Sequence, residues 1–144
     1  MSRIISFRGK IADLAQDTIV LHTNNGSIGY RVVNFKIMSS APGVDLQESV
    51  VKIFKIPQTA VDALVDFSDN TLIAVAYLET HGEPWYTDSD QIFFDNEIFN
   101  QDLYLTHKDV AVGTAINYYL ELEQMPLDLN ENTVATLKDI RNLA

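Results

Sequence analysis

Three alternating apolar segments, at 91–94, 103–107 and 116–124, run into one capped helical pattern at 129–143, and this succession constrains the fold more than any other feature of the chain. An apolar residue at every second position buries one face of a strand, whereas spacing by three and four buries one stripe of a helix. The expected architecture is a β-rich body closed by one terminal helix. None of these segments carries a catalytic constellation.

The same pattern extends toward the N-terminus. Strand patterns at 3–12 and 18–23 precede Asn24, Asn25 and Gly26, residues that tolerate the positive φ of a hairpin turn. Segment 29–38 sets Val33, Phe35 and Ile37 on one face and Tyr30, Asn34 and Lys36 on the other. After a loop at 39–43, a strand at 49–56 ends before Pro57, which has no N–H for a ladder. Strands at 63–67 and 71–78 flank Ser68, Asp69 and Asn70. The second, TLIAVAYL, fits a buried strand or a helix, and its β-branched Thr71, Ile73 and Val75 favour the strand. Residues 81–90, with Gly82 and Pro84, read as an exposed loop. Asp128 and Glu131 form a variant capping box, and Val134, Leu137 and Ile140 form the stripe of the helix that follows.

These elements predict one domain over residues 1–144. It is all-β in the main: a single antiparallel, jelly-roll-like β-sandwich of about eight strands with a C-terminal helix at 129–143. Val33, Phe35, Ile37, Ile53, Leu120, Leu122, Leu137 and Ile140 are the expected core.

A chain of 144 residues buries roughly 68–70% of its unfolded surface, enough for one core. At 47% hydrophobic and 21% charged, the composition lies in the globular regime. No apolar run is long enough to cross a bilayer as a helix, and Arg3, Arg8 and Lys10 interrupt any signal-peptide core. With no cysteine there are no disulfides or thiolate metal sites. A net charge of −10 repels nucleic acid and acidic membranes, so neither is an expected partner.

His22, His81 and His107 lie in separate segments without metal-ligand spacing. Carboxylates cluster at Asp66 with Asp69, at Asp88 with Asp90, and at Asp95 with Glu97 and Asp102, but none matches a calcium loop, and solvated surface charge is the simpler reading. Phosphate loops, nucleophile elbows and HExxH runs are missing. The expectation is a protein without catalytic residues, cofactor or metal. The aromatic residues of the second half read chiefly as sheet core and cross-strand pairs. Trp85 and Tyr86 differ, because a Gly-Glu-Pro-Trp-Tyr run in a loop suits an interface or sugar stacking, and they are the expected contact residues.

The runs RGKIAD…DTIVLHTNNGSIGYRV, VVKIFKIPQT with VDFSDNTLIAVAYLE, FDNEIFNQDLYLTH and INYYLELEQMPLDLNENTVATLKDIRNL resemble a group of small uncharacterised, virion-associated proteins of marine bacteriophages. The resemblance is collinear over nearly the whole chain. It implies a non-enzymatic virion structural protein, a capsid decoration or cement protein or another small particle component, whose partners are further copies of itself and other virion proteins. The alternative is a β-sandwich module that recognises a host glycan or receptor.

Overall fold

The computed structural model describes residues 3–21, 27–43, 46–80 and 89–127. Eight strands are formed among them: β1 (Arg3–Ile11), β2 (Gln16–Ile19), β3 (Ile28–Ser39), β4 (Gln47–Phe54), β5 (Leu72–Thr80), β6 (Ser89–Phe94), β7 (Leu103–Asp109) and β8 (Ile116–Pro126). They build an all-β fold of two antiparallel sheets, one ordered β1-β8-β3 and the other β2-β7-β4-β5-β6. One hydrophobic core joins the sheets: Val32, Phe35, Leu120 and Leu122 from the first pack with Val51, Ile53, Ala76 and Leu105 from the second. The expected helix at 129–143, with Leu137 and Ile140, and the turn at 24–26 lie outside the described residues.

In the three-stranded sheet, β8 is central and alternates strictly. Ile116, Tyr118, Leu120 and Leu122 are buried, whereas Tyr119 is exposed and Glu121 and Glu123 are half-buried. β3 departs from the expected alternation. Its register shifts between Val32 and Asn34, so Val33 is the extra residue of a bulge and Val32 takes the inward position with Phe35. Val33 is therefore only half-buried, Ile37 keeps the inward face but packs half-buried at the margin of the core, and Phe35, Ile53, Leu120 and Leu122 are core as expected. Gly9 is required by close approach: a Cβ there would lie 2.9 Å from the ring of Tyr118, whose hydroxyl donates to Asp17 at 3.1 Å and ties the two sheets together.

The five-stranded sheet is dry on both faces at its centre. Val51, Ile53 and Ala76 point to the core, yet Val50, Lys52, Phe54 and Val75 on the opposite face are also at most 6% exposed. Residues 55–71 provide the cover. The segment is held to Gln16 of β2, where the Gln58 amide donates to Gln16 Oε1 at 2.8 Å. At the middle of the sheet Lys52 Nζ donates to Asp62 Oδ1 at 2.9 Å and to the Leu64 carbonyl at 2.7 Å. It finishes at β6, where the rings of Phe67 and Phe93 meet edge to face with centroids 5.6 Å apart. The expected strand at 63–67 is thus part of an irregular crossing segment. Asx turns at Asp66 and Asp69, each accepting from the amide two residues on, bend it in place of a ladder. Two of the residues expected in the 81–90 loop, Ser89 and Asp90, belong instead to β6.

Candidate functional site

Exposed apolar side chains lie where the crossing segment meets β6. Leu64 is 77% exposed, Phe67 67% and Phe93 49%. Beside them runs a groove of about 540 Å³ lined by Phe67, Leu72, Val75, Phe93, Phe94 and Asp95. The sequence builds this site from two features. Phe93 occupies the outward register position opposite Val75, and the Asp66 turn brings Phe67 over it. β6 also ends its sheet, so among the described residues one side of its backbone has no strand neighbour. Three carboxylates, Asp66, Asp69 and Asp95, border the aromatic residues. Those of Asp66 and Asp95 accept local backbone amides, from Ser68 at 2.9 Å and Glu97 at 3.1 Å. Hydrogen bonds from the Ser68 hydroxyl and amide hold the Asp66 carboxyl below the usual carboxylate range, so it carries full charge at neutral pH. Phe67 and Phe93 were read from the sequence as strand and core residues. The signal that marks them is the pair of aspartates around Phe67, which makes a turn more favourable than a strand.

A second polar arrangement has the residue types of a nucleophile and its base. His107 Nδ1 lies 3.1 Å from the Ile11 carbonyl and 3.2 Å from that of Ala12, which accept only, so Nδ1 carries the proton. Nε2 then accepts from Ser49 Oγ at 2.9 Å, and Ser49 Oγ accepts in turn from Gln47 Nε2 at 2.7 Å. Burial pushes the His107 pKa down, against the opposing pull of the two carbonyls and of Asp13 and Asp109, and so favours this neutral form. Ser49 and His107 are 0% exposed, so no substrate carbonyl reaches Ser49. The network is structural: it fastens β7 and β4 to the end of β1. Asp109 has a similar role in the turn beyond β7. Burial pushes its carboxyl up, but amides including Ala111, Glu48 and Thr114 outweigh burial and hold it below the usual range. Gly113, at φ +85°, supplies the left-handed residue of the same turn.

At the same end of β4, the Tyr77 hydroxyl lies 2.7 Å from both Glu48 Oε2 and Glu79 Oε2. Burial and these two carboxylates raise its pKa far above the usual phenol value. No group of three or more metal-ligating side chains is formed among the described residues. Of the residues singled out from the sequence, His107 is placed in the core, Asp95 in the lining of the aromatic groove, and Asp66 and Asp69 in the turns that flank Phe67. Trp85, Tyr86, His22, His81 and Asp88 lie outside the described residues. No protein-family model matches the chain, and no curated protein is significantly similar to it.

Proposed function

We propose that this protein is a non-enzymatic structural component of a bacteriophage particle, a capsid decoration or cement protein or another small virion part, acting by self-association and docking. The observation that carries the reading is the aromatic groove at β6. A contiguous exposed apolar surface beside an unpaired sheet edge marks a contact site in a protein whose Ser–His pair is sealed in the core. The expected loop contact at Trp85 and Tyr86 remains part of the proposal.

The finer fold belongs to the same proposal: a jelly-roll sandwich with a C-terminal helix at 129–143. Its support is the strand order, since β1-β8-β3 against β2-β7-β4-β5 is the order that two nested Greek keys produce. The position beside β3 that completes the smaller sheet is taken by the continuation of β6. There the Tyr30 amide donates to the Phe99 carbonyl at 2.8 Å and the Phe99 amide to the Tyr30 carbonyl at 2.9 Å. Capsid and lectin domains share this architecture, which is why glycan recognition is the second reading.

Sedimentation of the purified protein, alone and with particles stripped of it, tests the proposal. The expected result is concentration-dependent association and co-sedimentation with particles, with Trp85→Ala weakening binding by about thirtyfold. A protein that stays monomeric, ignores particles and is retained on immobilised host polysaccharide would transfer the assignment to glycan recognition.

A further inference from the structure

The outer face of the three-stranded sheet is the electrostatic complement of the groove on the opposite side. Tyr119, 37% exposed, lies at its centre, and the registers place Arg8 beside it on β1 and Lys36 beside it on β3. The next row holds Lys10, Asn117 and Met38, and Met38 is 61% exposed. Arg8, Lys10 and Lys36 take part in none of the ion pairs among the described residues. Farther along the same face Glu123 pairs with Arg31 at 2.5 Å, and Glu121, in the row next to Arg8 and Lys36, is half-buried and accepts from the neutral Asn34 at 3.2 Å, so the face holds one carboxylate beside its three cations. Three cations with no ion pair among the described residues thus surround a small aromatic and thioether surface in a chain of net charge −10.

The β6 groove has the opposite arrangement. Phe67 and Phe93 form its exposed centre, Asp95 lies in its lining, and Asp66 and Asp69 flank Phe67 along the chain. The nearby cations do not offset these carboxylates: Lys52 and Lys55 are buried and committed to Asp62 and Glu97. Phe93 points away from the core of its sheet and Tyr119 away from the core of the other, so the two patches face opposite directions.

Resting on the reading of the protein as self-associating, we infer that copies join head to tail. The acid-rimmed aromatic groove of one copy docks on the Arg8–Tyr119–Lys36 face of the next. Pairing either patch with itself would set like charges against each other, whereas the mixed joint matches charge at the rim and buries apolar surface at the centre. Such a contact is heterologous, and it propagates as an open row or closes into a ring.

Two double variants test the joint by sedimentation velocity, with circular dichroism and thermal midpoints confirming that each folds. Arg8→Glu with Lys36→Glu removes one half of the contact, and Phe67→Ser with Phe93→Ser removes the other. Each alone is expected to associate at least about tenfold more weakly than the parent, whereas an equal mixture, keeping one intact joint, gives dimers and nothing larger. Should the charge reversal impair folding, Arg8→Gln with Lys36→Gln replaces it, and association is expected to weaken in the same direction and to lose most of its salt dependence. Variants that still assemble like the parent, or a mixture without dimers, would overturn the head-to-tail joint while leaving particle binding standing. A parent that becomes self-associating only when residues 128–144 are removed would show the groove to be occupied within its own chain. A monomeric parent held on an acidic polysaccharide through Arg8 and Lys36 would replace the second copy with a glycan. A parent that neither self-associates nor binds particles would sink the functional reading as well.

Discussion

The two sheets bury their residues in different ways. In the three-stranded sheet one face is dry and the other wet, and the central strand alternates accordingly. In the five-stranded sheet β4 runs almost wholly buried from Gln47 to Phe54, because the core covers one face and residues 55–71 cover the other. The crossing segment therefore does for an antiparallel sheet what helices do for a parallel one: it shields a second face and permits a near-continuous apolar strand. A buried lysine fastens the cover at its middle and an exposed aromatic pair ends it, so the same segment stabilises the fold and presents the candidate contact.

The largest effect that would break this comparison is expected at Phe35, which is 1% exposed in the shared core. Phe35→Ala should cost about 3–5 kcal/mol in chemical denaturation, and a cost under about 1 kcal/mol would show that this face of β3 is not core. Lys52→Ala should cost about 1–3 kcal/mol, because it leaves the Leu64 carbonyl without its donor and frees the cover. Faster proteolysis within 55–71 than elsewhere in the variant would sharpen the assignment. A smaller, pH-dependent effect belongs to His107. Its native pKa is lowered, so below the ordinary value of 6.5 the unfolded chain binds the extra proton. Stability should be complete above 6.5 and fall as the pH drops from there toward the native pKa. His107→Gln should flatten that slope between pH 6.5 and 5, read from denaturation midpoints, and an unchanged slope would count against a neutral buried imidazole. On the wet face of the three-stranded sheet, Lys36→Ala should change stability by less than about 0.5 kcal/mol, in contrast with Lys52.

Strand positions were legible in the sequence wherever one face is solvated. The segments at 29–38 and 116–124 lie within β3 and β8 because water on one side enforces period two, and that at 103–107 lies within β7, where Thr106 on the face opposite Leu105 is buried as well. TLIAVAYL resisted the same reading because β5 is covered on both sides at its centre, and only its β-branched residues marked it as a strand. Two errors have local causes. Val33 is expected in the core because two adjacent valines, Val32 and Val33, carry no sign of which one a bulge turns inward. Residues 63–67 resembled a strand because Val65 and Phe67 alternate, although the Asx turns at Asp66 and Asp69 outcompete a ladder. The groove was illegible for a related reason. Phe67 and Phe93 are far apart in sequence and meet only because the cover crosses the whole sheet.

The register that pairs Arg3 with Gln124 also sets a clock. Among the described residues β1 has its only strand partner in β8, and β3 also pairs with β8, so neither can enter this sheet until more than a hundred residues beyond β1 have been synthesised. At ordinary translation speeds the nascent β1, with Ile4, Ile5 and Phe7, waits on the order of ten seconds on the ribosome without its partner. The alternating apolar residues that specify this fold are thus, for that interval, adhesive surface, and crowding of polysomes during heavy synthesis would be the time at which the chain is most prone to pair wrongly.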